Sequence, residues 1–274
     1  ENGADVNAKD ERGDTALMRA ACGEGGRHIV KLLIEKGAAV NARDKFGWTA
    51  FMKASYKGHI EIIKLLKENG ANVNAKDNEG KTALMRAAYG EGERHIDIIK
   101  LLIEKGVDVD AKDRGGWTAL TWACRGGYTD IAKLLIENGA DINAKDERGD
   151  TALLMAFYSR RIEIVKFLIK NGADINAKDQ YGETALIYAG RCDSFEMAKL
   201  LIEKGADVNA KDEDGWTALI VTSDRGNIEM VKFLIENGAD VNAQNKYHAT
   251  ALMKASYKGH FEIAKLLKEK GAKE

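Results

Sequence analysis

Three places in the chain carry residue types at spacings that could do chemistry. Gly80-Lys81-Thr82 has the tail of a phosphate-cradling loop, in which backbone N–H groups and a lysine hold the phosphates. That loop needs a further glycine five residues earlier, and Ala75 stands there. His59-Ile60-Glu61 and His260-Phe261-Glu262 share the His-x-Glu spacing with which zinc deaminases pair a metal ligand and a proton-transfer carboxylate. No Pro-Cys-x-x-Cys follows either one. Cys22, Cys124 and Cys192 are odd in number and scattered, so they read as free thiols of a reducing compartment, not as a disulfide framework. No catalytic, cofactor-binding or metal-ligating set emerges, and a non-enzyme without cofactor is expected.

The elements that must position these residues explain them better. The phrase Asp-x-x-Gly-x-Thr-Ala-Leu, or a close variant, begins at Asp10, Asp44, Asp77, Asp113, Asp146, Asp179, Asp212 and Asn245. A nearly fixed period of 33 residues means one supersecondary unit stacked many times. Gly80-Lys81-Thr82 is then ordinary repeat grammar. His59, His95 and His260 share one place, just before a second helix, and read as bonding turn backbone. Residues 1–274 are expected to form one array of eight repeats. Residues 1–9 match 137–145, the second half of a repeat, so the start reads as a boundary inside a longer array. Lys268, where most repeats have Ile, suggests a polar outer face on the last unit.

Residues 179–211 show how one unit should fold. Asp179 bonds the turn backbone, Gly182 supplies positive φ, and Thr184 caps a first helix over roughly 185–192. Ala189 and Gly190 leave room for a neighbour. A second helix over roughly 195–204 puts Met197, Leu200 and Leu201 on one face, and Gly205 ends it. Ordering about 33 residues costs on the order of 50 kcal/mol, which needs roughly 2,000 Å2 of apolar burial to offset. Two short helices reach that only when neighbours cover both sides, so stacking is a condition of folding.

Gly-x-Thr-Ala-Leu-x-x-Ala, Gly-His-x-Glu-Ile-x-Lys-Leu-Leu (58–66, 259–267) and Gly-Ala-Asp-Val-Asn-Ala (205–210) together resemble the ankyrin repeat. The likeness covers the whole chain. It departs from the family in having Ala for the usual Pro, and Met18, Met52, Met85, Thr121, Leu154, Ile187, Ile220 or Met253 for the usual His. The resemblance implies an all-α ankyrin-repeat solenoid of helix-turn-helix units joined by β-turn or hairpin-like loops. It also implies a concave face built from turn tips and first helices. The expected function is a protein–protein interaction scaffold that binds a protein or peptide there. A structural spacer or regulatory segment of a larger protein, or a self-associating array, is the alternative.

Copies compared within the chain show where that face varies. Ten of the nineteen aromatic residues sit at turn tips or late in first helices: Phe46, Trp48, Tyr56, Tyr89, Trp117, Tyr158, Tyr181, Trp216, Tyr247 and Tyr257. Trp122 and Tyr188 should share their side, and Arg125 joins them as a partner contact. Large amphipathic rings outside a core make binding hot spots, the other reading being that they lie flat and shield the stack. The exposed first-helix place reads Arg19, Lys53, Arg86, then Trp122, Met155, Tyr188, Val221, then Lys254. Repeats four to seven are therefore expected to clasp an apolar segment, with acidic flanks favoured at the basic ends. Trp117 and Trp216 are expected to be replaceable by Ala with little change in the thermal melt.

Lys9, Arg43, Lys76, Lys112, Lys145, Lys178 and Lys211 form a second basic row, each beside a carboxylate, and read as a solvated, neutralised row. The four-residue stretches 23–26 and 90–93 enlarge two helix–helix turns and read as contact loops. His248 replaces the turn glycine, which suggests a different turn or strain. Formal net charge is −1 with both signs interspersed, so nucleic acid is not an expected partner. No apolar run is long enough to cross a bilayer, and no membrane partner is expected. A cytoplasmic monomer is the default, with an effector delivered into a host cell and a homo-oligomer as alternatives.

Overall fold

The computed structural model describes residue 3 and residues 5–23, 26–89 and 93–273. The chain divides into two compact units, Glu1–Glu147 and Arg148–Glu274. Among the described residues all regular structure is helical. Unit 1 holds α1 (Ala16–Cys22), α2 (Arg27–Glu35), α3 (Ala50–Lys57), α4 (Ile60–Glu68), α5 (Ala83–Ala88), α6 (Glu93–Glu104), α7 (Ala119–Gly126) and α8 (Thr129–Glu137). Unit 2 holds α9 (Ala152–Tyr158), α10 (Ile162–Lys170), α11 (Ala185–Arg191), α12 (Phe195–Glu203), α13 (Ala218–Arg225), α14 (Ile228–Glu236), α15 (Ala251–Tyr257) and α16 (Phe261–Glu269). Parts of the two enlarged turns, residues 24–25 and 90–92, lie outside the described residues.

Each pair starts from a turn built by one aspartate. Asp44 Oδ1 accepts hydrogen bonds from Phe46 and Trp48 backbone N–H, both at 2.8 Å, and the Asp44 N–H closes the loop on the Trp48 carbonyl at 3.0 Å. The same bonds recur at Asp77, Asp113, Asp179 and Asp212. A buried threonine then caps every first helix, its hydroxyl accepting from the N–H three residues on. First helices pack in succession, α1 on α3, α3 on α5 and α5 on α7 in unit 1, and α11 on α13 and α13 on α15 in unit 2. Small residues allow this approach: Ala21, Ala54, Ala87 and Ala123 are fully buried, and a Cβ on Gly190 would meet Thr222 Cγ2 at 2.9 Å.

Two further devices fix the register within each unit. Turn tips are joined by single backbone bonds, such as Asn78 N–H to the Phe46 carbonyl (2.9 Å) and Arg114 N–H to the Glu79 carbonyl (3.0 Å). The Asn of Asp-Val-Asn-Ala accepts from the next repeat, as Asn41 Oδ1 does from Asn72 N–H at 2.8 Å and Asn209 Oδ1 from Asp240 N–H at 2.8 Å. The lysine row belongs to this ladder. Lys9, Lys76, Lys112, Lys178 and Lys211 each donate Nζ to the carbonyl of the matching residue one repeat on. The row is exposed, as expected of solvated lysines, and these ammonium groups also tie repeats together through backbone oxygen.

His248 keeps the common turn. Asn245 Oδ1 still accepts from Tyr247 and Ala249 N–H at 2.9 Å, and the finger is not distorted. The residue sits at φ 56° in the left-handed region, so the strain is borne by the backbone. Elsewhere glycine is required twice over. A Cβ on Gly116 would lie 2.7 Å from Glu147 N, where the next finger crosses. Repeat eight leaves Met253, Tyr257 and Phe261 exposed beside Lys268, so the expected polar outer face is found only in part. His248→Gly removes the strain and adds unfolded-state entropy, for a net stabilisation of about 0.5–1 kcal/mol. Gly116→Ala should destabilise by about 1–3 kcal/mol instead. Urea unfolding of the two variants checks both signs.

Candidate functional site

A recess of about 680 Å3 lies within unit 1. Tyr56 and Tyr89, from the ends of α3 and α5, line it together with Trp122 and Arg125 from α7. Lys81, Met85, Arg86 and Tyr128 complete the lining. Trp122 is its fixed wall. Its Nε1 donates to Asp113 Oδ2 at 3.0 Å, and Lys81 Nζ stands 4.3 Å from the ring centre. Tyr89 meets it edge-on at 5.0 Å, and the Trp117 ring lies 4.6 Å from it. Trp117 Nε1 donates to Asp146 Oδ2 at 2.8 Å, and the Arg125 guanidinium lies 4.9 Å above its ring. Trp48 supports the adjoining edge, with Tyr56 edge-on at 5.6 Å and the Arg86 guanidinium 4.7 Å away.

The turn aspartates decide which cations are free. Asp10, Asp44, Asp77 and Asp113 have their second oxygen met by the side chain nine places on. Arg19 reaches Asp10 at 2.5 Å and Arg86 reaches Asp77 at 2.5 Å. Lys53 lies between Asp14 (2.6 Å) and Asp44 (2.8 Å). Arg19 accordingly holds the Asp10 carboxyl down at about 2. At Lys53 burial disfavours the ammonium, but Asp14 and Asp44 outweigh it and raise its pKa above the usual lysine range. Where the ninth place is Val221, the carboxylate is served from the preceding repeat, Arg191 reaching Asp212 at 3.2 Å. The expectation that Arg19, Lys53 and Arg86 await acidic flanks of a partner is therefore corrected, because they are engaged by turn carboxylates. Arg125 differs: it is exposed, and no carboxylate pairs with it among the described residues.

In unit 2 the rings divide into two groups. Tyr158 and Tyr188 are half-buried with ring centres 4.5 Å apart, and Phe157 meets Tyr188 edge-on at 5.7 Å. Trp216 is half-buried under Lys254 Nζ at 4.5 Å. Tyr181, Tyr247 and Tyr257 are exposed, as Phe46 is in unit 1, and none of the four has a ring partner among the described residues. Burial, with the charges of Asp150, Asp179 and Glu183 nearby, pushes the Tyr158 phenol well above its usual range. Burial also raises Glu183, against the pull of Arg191.

Of the thirteen sequence-predicted contacts, the recess gathers Tyr56, Tyr89, Trp122 and Arg125 at its surface, with Trp48 and Trp117 as backing. Met155 and Val221, expected on the exposed face, are 9% and 3% exposed and belong to the core. Their apolar character reflects packing, and the expected apolar gradient over repeats four to seven is corrected accordingly. Trp117 is half-buried and hydrogen-bonded, so Trp117→Ala should lower stability by about 2 kcal/mol instead of sparing the melt. Sequence reasoning placed Arg86 on this face but missed Met85 and Tyr128 as lining residues. Tyr128 had a signal: it takes the place held by histidine in three other repeats. His59 Nε2 lies 3.3 Å from the Cys22 carbonyl and His260 Nε2 3.2 Å from the Asp224 carbonyl, so these imidazoles close off preceding first helices. Among the described residues no cluster of His, Cys, Asp and Glu is arranged to hold a metal ion.

A family model described as ankyrin repeats (3 copies) matches residues 2–77, 69–146, 144–212 and 210–274. The chain belongs to the ankyrin-repeat family. Among curated proteins none matches it. Ankyrin repeats are generally protein–protein interaction modules and typically non-enzymatic. No helix among the described residues is long and apolar enough to cross a membrane.

The raised Tyr158 pKa has a sign that can be measured. Stability from this neutral phenol is fully present below the unfolded value of about 10 and is lost progressively as pH rises toward the folded value. Tyr158→Phe should therefore lessen the fall in melting temperature between about pH 9 and pH 11. An unchanged fall would show that the burial of this hydroxyl does not govern alkaline stability.

Proposed function

We propose that this chain is a non-enzymatic scaffold that binds a protein or peptide partner through the finger-and-first-helix face, with the unit 1 recess as the principal contact. One observation carries the reading. Trp117 behind the recess and Trp122 in its wall are locked by N–H bonds to Asp146 and Asp113, while Tyr56, Tyr89 and Arg125 stay exposed. Rings already ordered before contact lose little entropy on binding, and aromatic and arginine side chains carry most interface energy. Within unit 2, Tyr181 and Tyr247 at finger tips and Tyr257 at the end of α15 offer further exposed rings, as Phe46 does at a finger tip of unit 1. Tyr158, Tyr188 and Trp216 are half-buried and contribute less surface. A reducing, cytoplasmic setting suits Cys192, which is exposed and unpaired.

Self-association is favoured by a different observation, the exposure of Tyr257 (85%) and Phe261 (78%) in repeat eight. Light scattering over a concentration series separates it from binding of a foreign partner. For the main reading, Tyr56→Ala/Tyr89→Ala/Arg125→Ala should capture its partner at least about tenfold more weakly while melting within about 2 °C of the parent. Equal capture by both chains would remove the recess from the function.

A further inference from the structure

Tyr56, Tyr89 and Arg125 each stand twelve residues after the turn Asp of their repeats, at the ends of α3, α5 and α7. These helices pack in succession, and packed helices stand about 8–10 Å apart. Three residues of a polyproline II chain make one turn and rise about 9 Å. A segment in that conformation laid across the three helix ends would thus present every third side chain, all on one face, to one of them.

Charge selects what that segment carries. The charged groups lining the recess are Lys81, Arg86 and Arg125, all cations, and no carboxylate lines it. Glu79 and Asp77 draw on Lys81 and Arg86, with Glu79 Oε2 2.7 Å from Lys81 Nζ. Arg125 has no carboxylate partner among the described residues and lies over the Trp117 ring. A guanidinium stacked on an indole keeps its in-plane N–H groups for a carboxylate, which it takes in two parallel bonds.

We propose that the recess takes an acidic peptide in the polyproline II conformation: two apolar or aromatic side chains three residues apart meet Tyr56 and Tyr89, and an Asp or Glu three residues beyond meets Arg125. This specificity rests on the reading of the recess as the partner site. A basic segment would face the unpaired charge of Arg125, and a neutral one would leave it unmatched.

The test uses the full chain and fluorescein-labelled decapeptides of sequence Glu-Ser-Asn-Phe-Ser-Asn-Phe-Ser-Asn-Glu, whose acidic ends make chain direction immaterial. Versions with Gln or Lys at both ends serve as comparisons, with affinities read by anisotropy. The Glu peptide should bind at least about tenfold tighter than the Lys peptide, and the preference should shrink in about 0.5 M salt. Arg125→Gln should abolish the preference without moving the melt, and Tyr89→Ala should weaken all three peptides by about tenfold. Equal affinities, or a preference that survives Arg125→Gln, would overturn the acidic assignment while the Tyr89→Ala loss still upheld the recess. Unaltered binding in both Tyr56→Ala and Tyr89→Ala would sink the recess as well. Absence of binding by every peptide at about 1 mM would also overturn the proposal.

Discussion

The close approach of one repeat to the next is the constraint on which the rest depends. No unit has an interior of its own. Leu17, Phe51, Leu84 and Leu120, all about 1% exposed, are buried because first helices lie against first helices. That approach dictates the small residues along the first helices and the glycines in the fingers. It also dictates the polar ladder of Asn side chains, lysine ammonium groups and tip carbonyls that holds each unit in register. A residue that serves the ladder is not available to a partner, however exposed or charged it looks in a sequence.

The turn aspartate links architecture to site. One oxygen is spent on its own turn, and at Asp10, Asp44, Asp77 and Asp212 a cation meets the other. In repeat four an indole does it instead, as Trp122 donates to Asp113. This swap has two consequences. A large ring is held at a fixed angle on the open face, and Arg125, three residues further along α7, has no carboxylate partner among the described residues. The recess is therefore a by-product of satisfying a turn with an aromatic donor, and its positive character follows from the same substitution.

Much of the fold was legible in sequence because it is local and repeated. The predicted helices at roughly 185–192 and 195–204 correspond to Ala185–Arg191 and Phe195–Glu203, and the Thr184 cap and the positive φ of Gly205 follow from residue type alone. The site was legible only in part. Aromatic positions could be read from the repeat grammar, but their partners lie about one repeat length away, as Trp117 and Asp146 do at 29 residues. The same blindness made Met155 and Val221 look exposed and hid the carbonyl partners of the lysine row. His248 was read as strained, and the strain is there, but the intact turn could not be foreseen: the asparagine at 245 supplies the same oxygen as an aspartate.

The most direct test of a preorganised recess is the state of its two indole N–H groups in the free chain. Nitrogen-15 relaxation and solvent exchange of the tryptophan side chains measure it, with Trp48 and Trp216 as internal references, since neither indole N–H has an acceptor among the described residues. Trp117 and Trp122 should exchange more slowly than the references and show order parameters of about 0.85, as rigid backbone does. Rapid exchange and order parameters below about 0.6 at both indoles would contradict a recess built before its partner arrives.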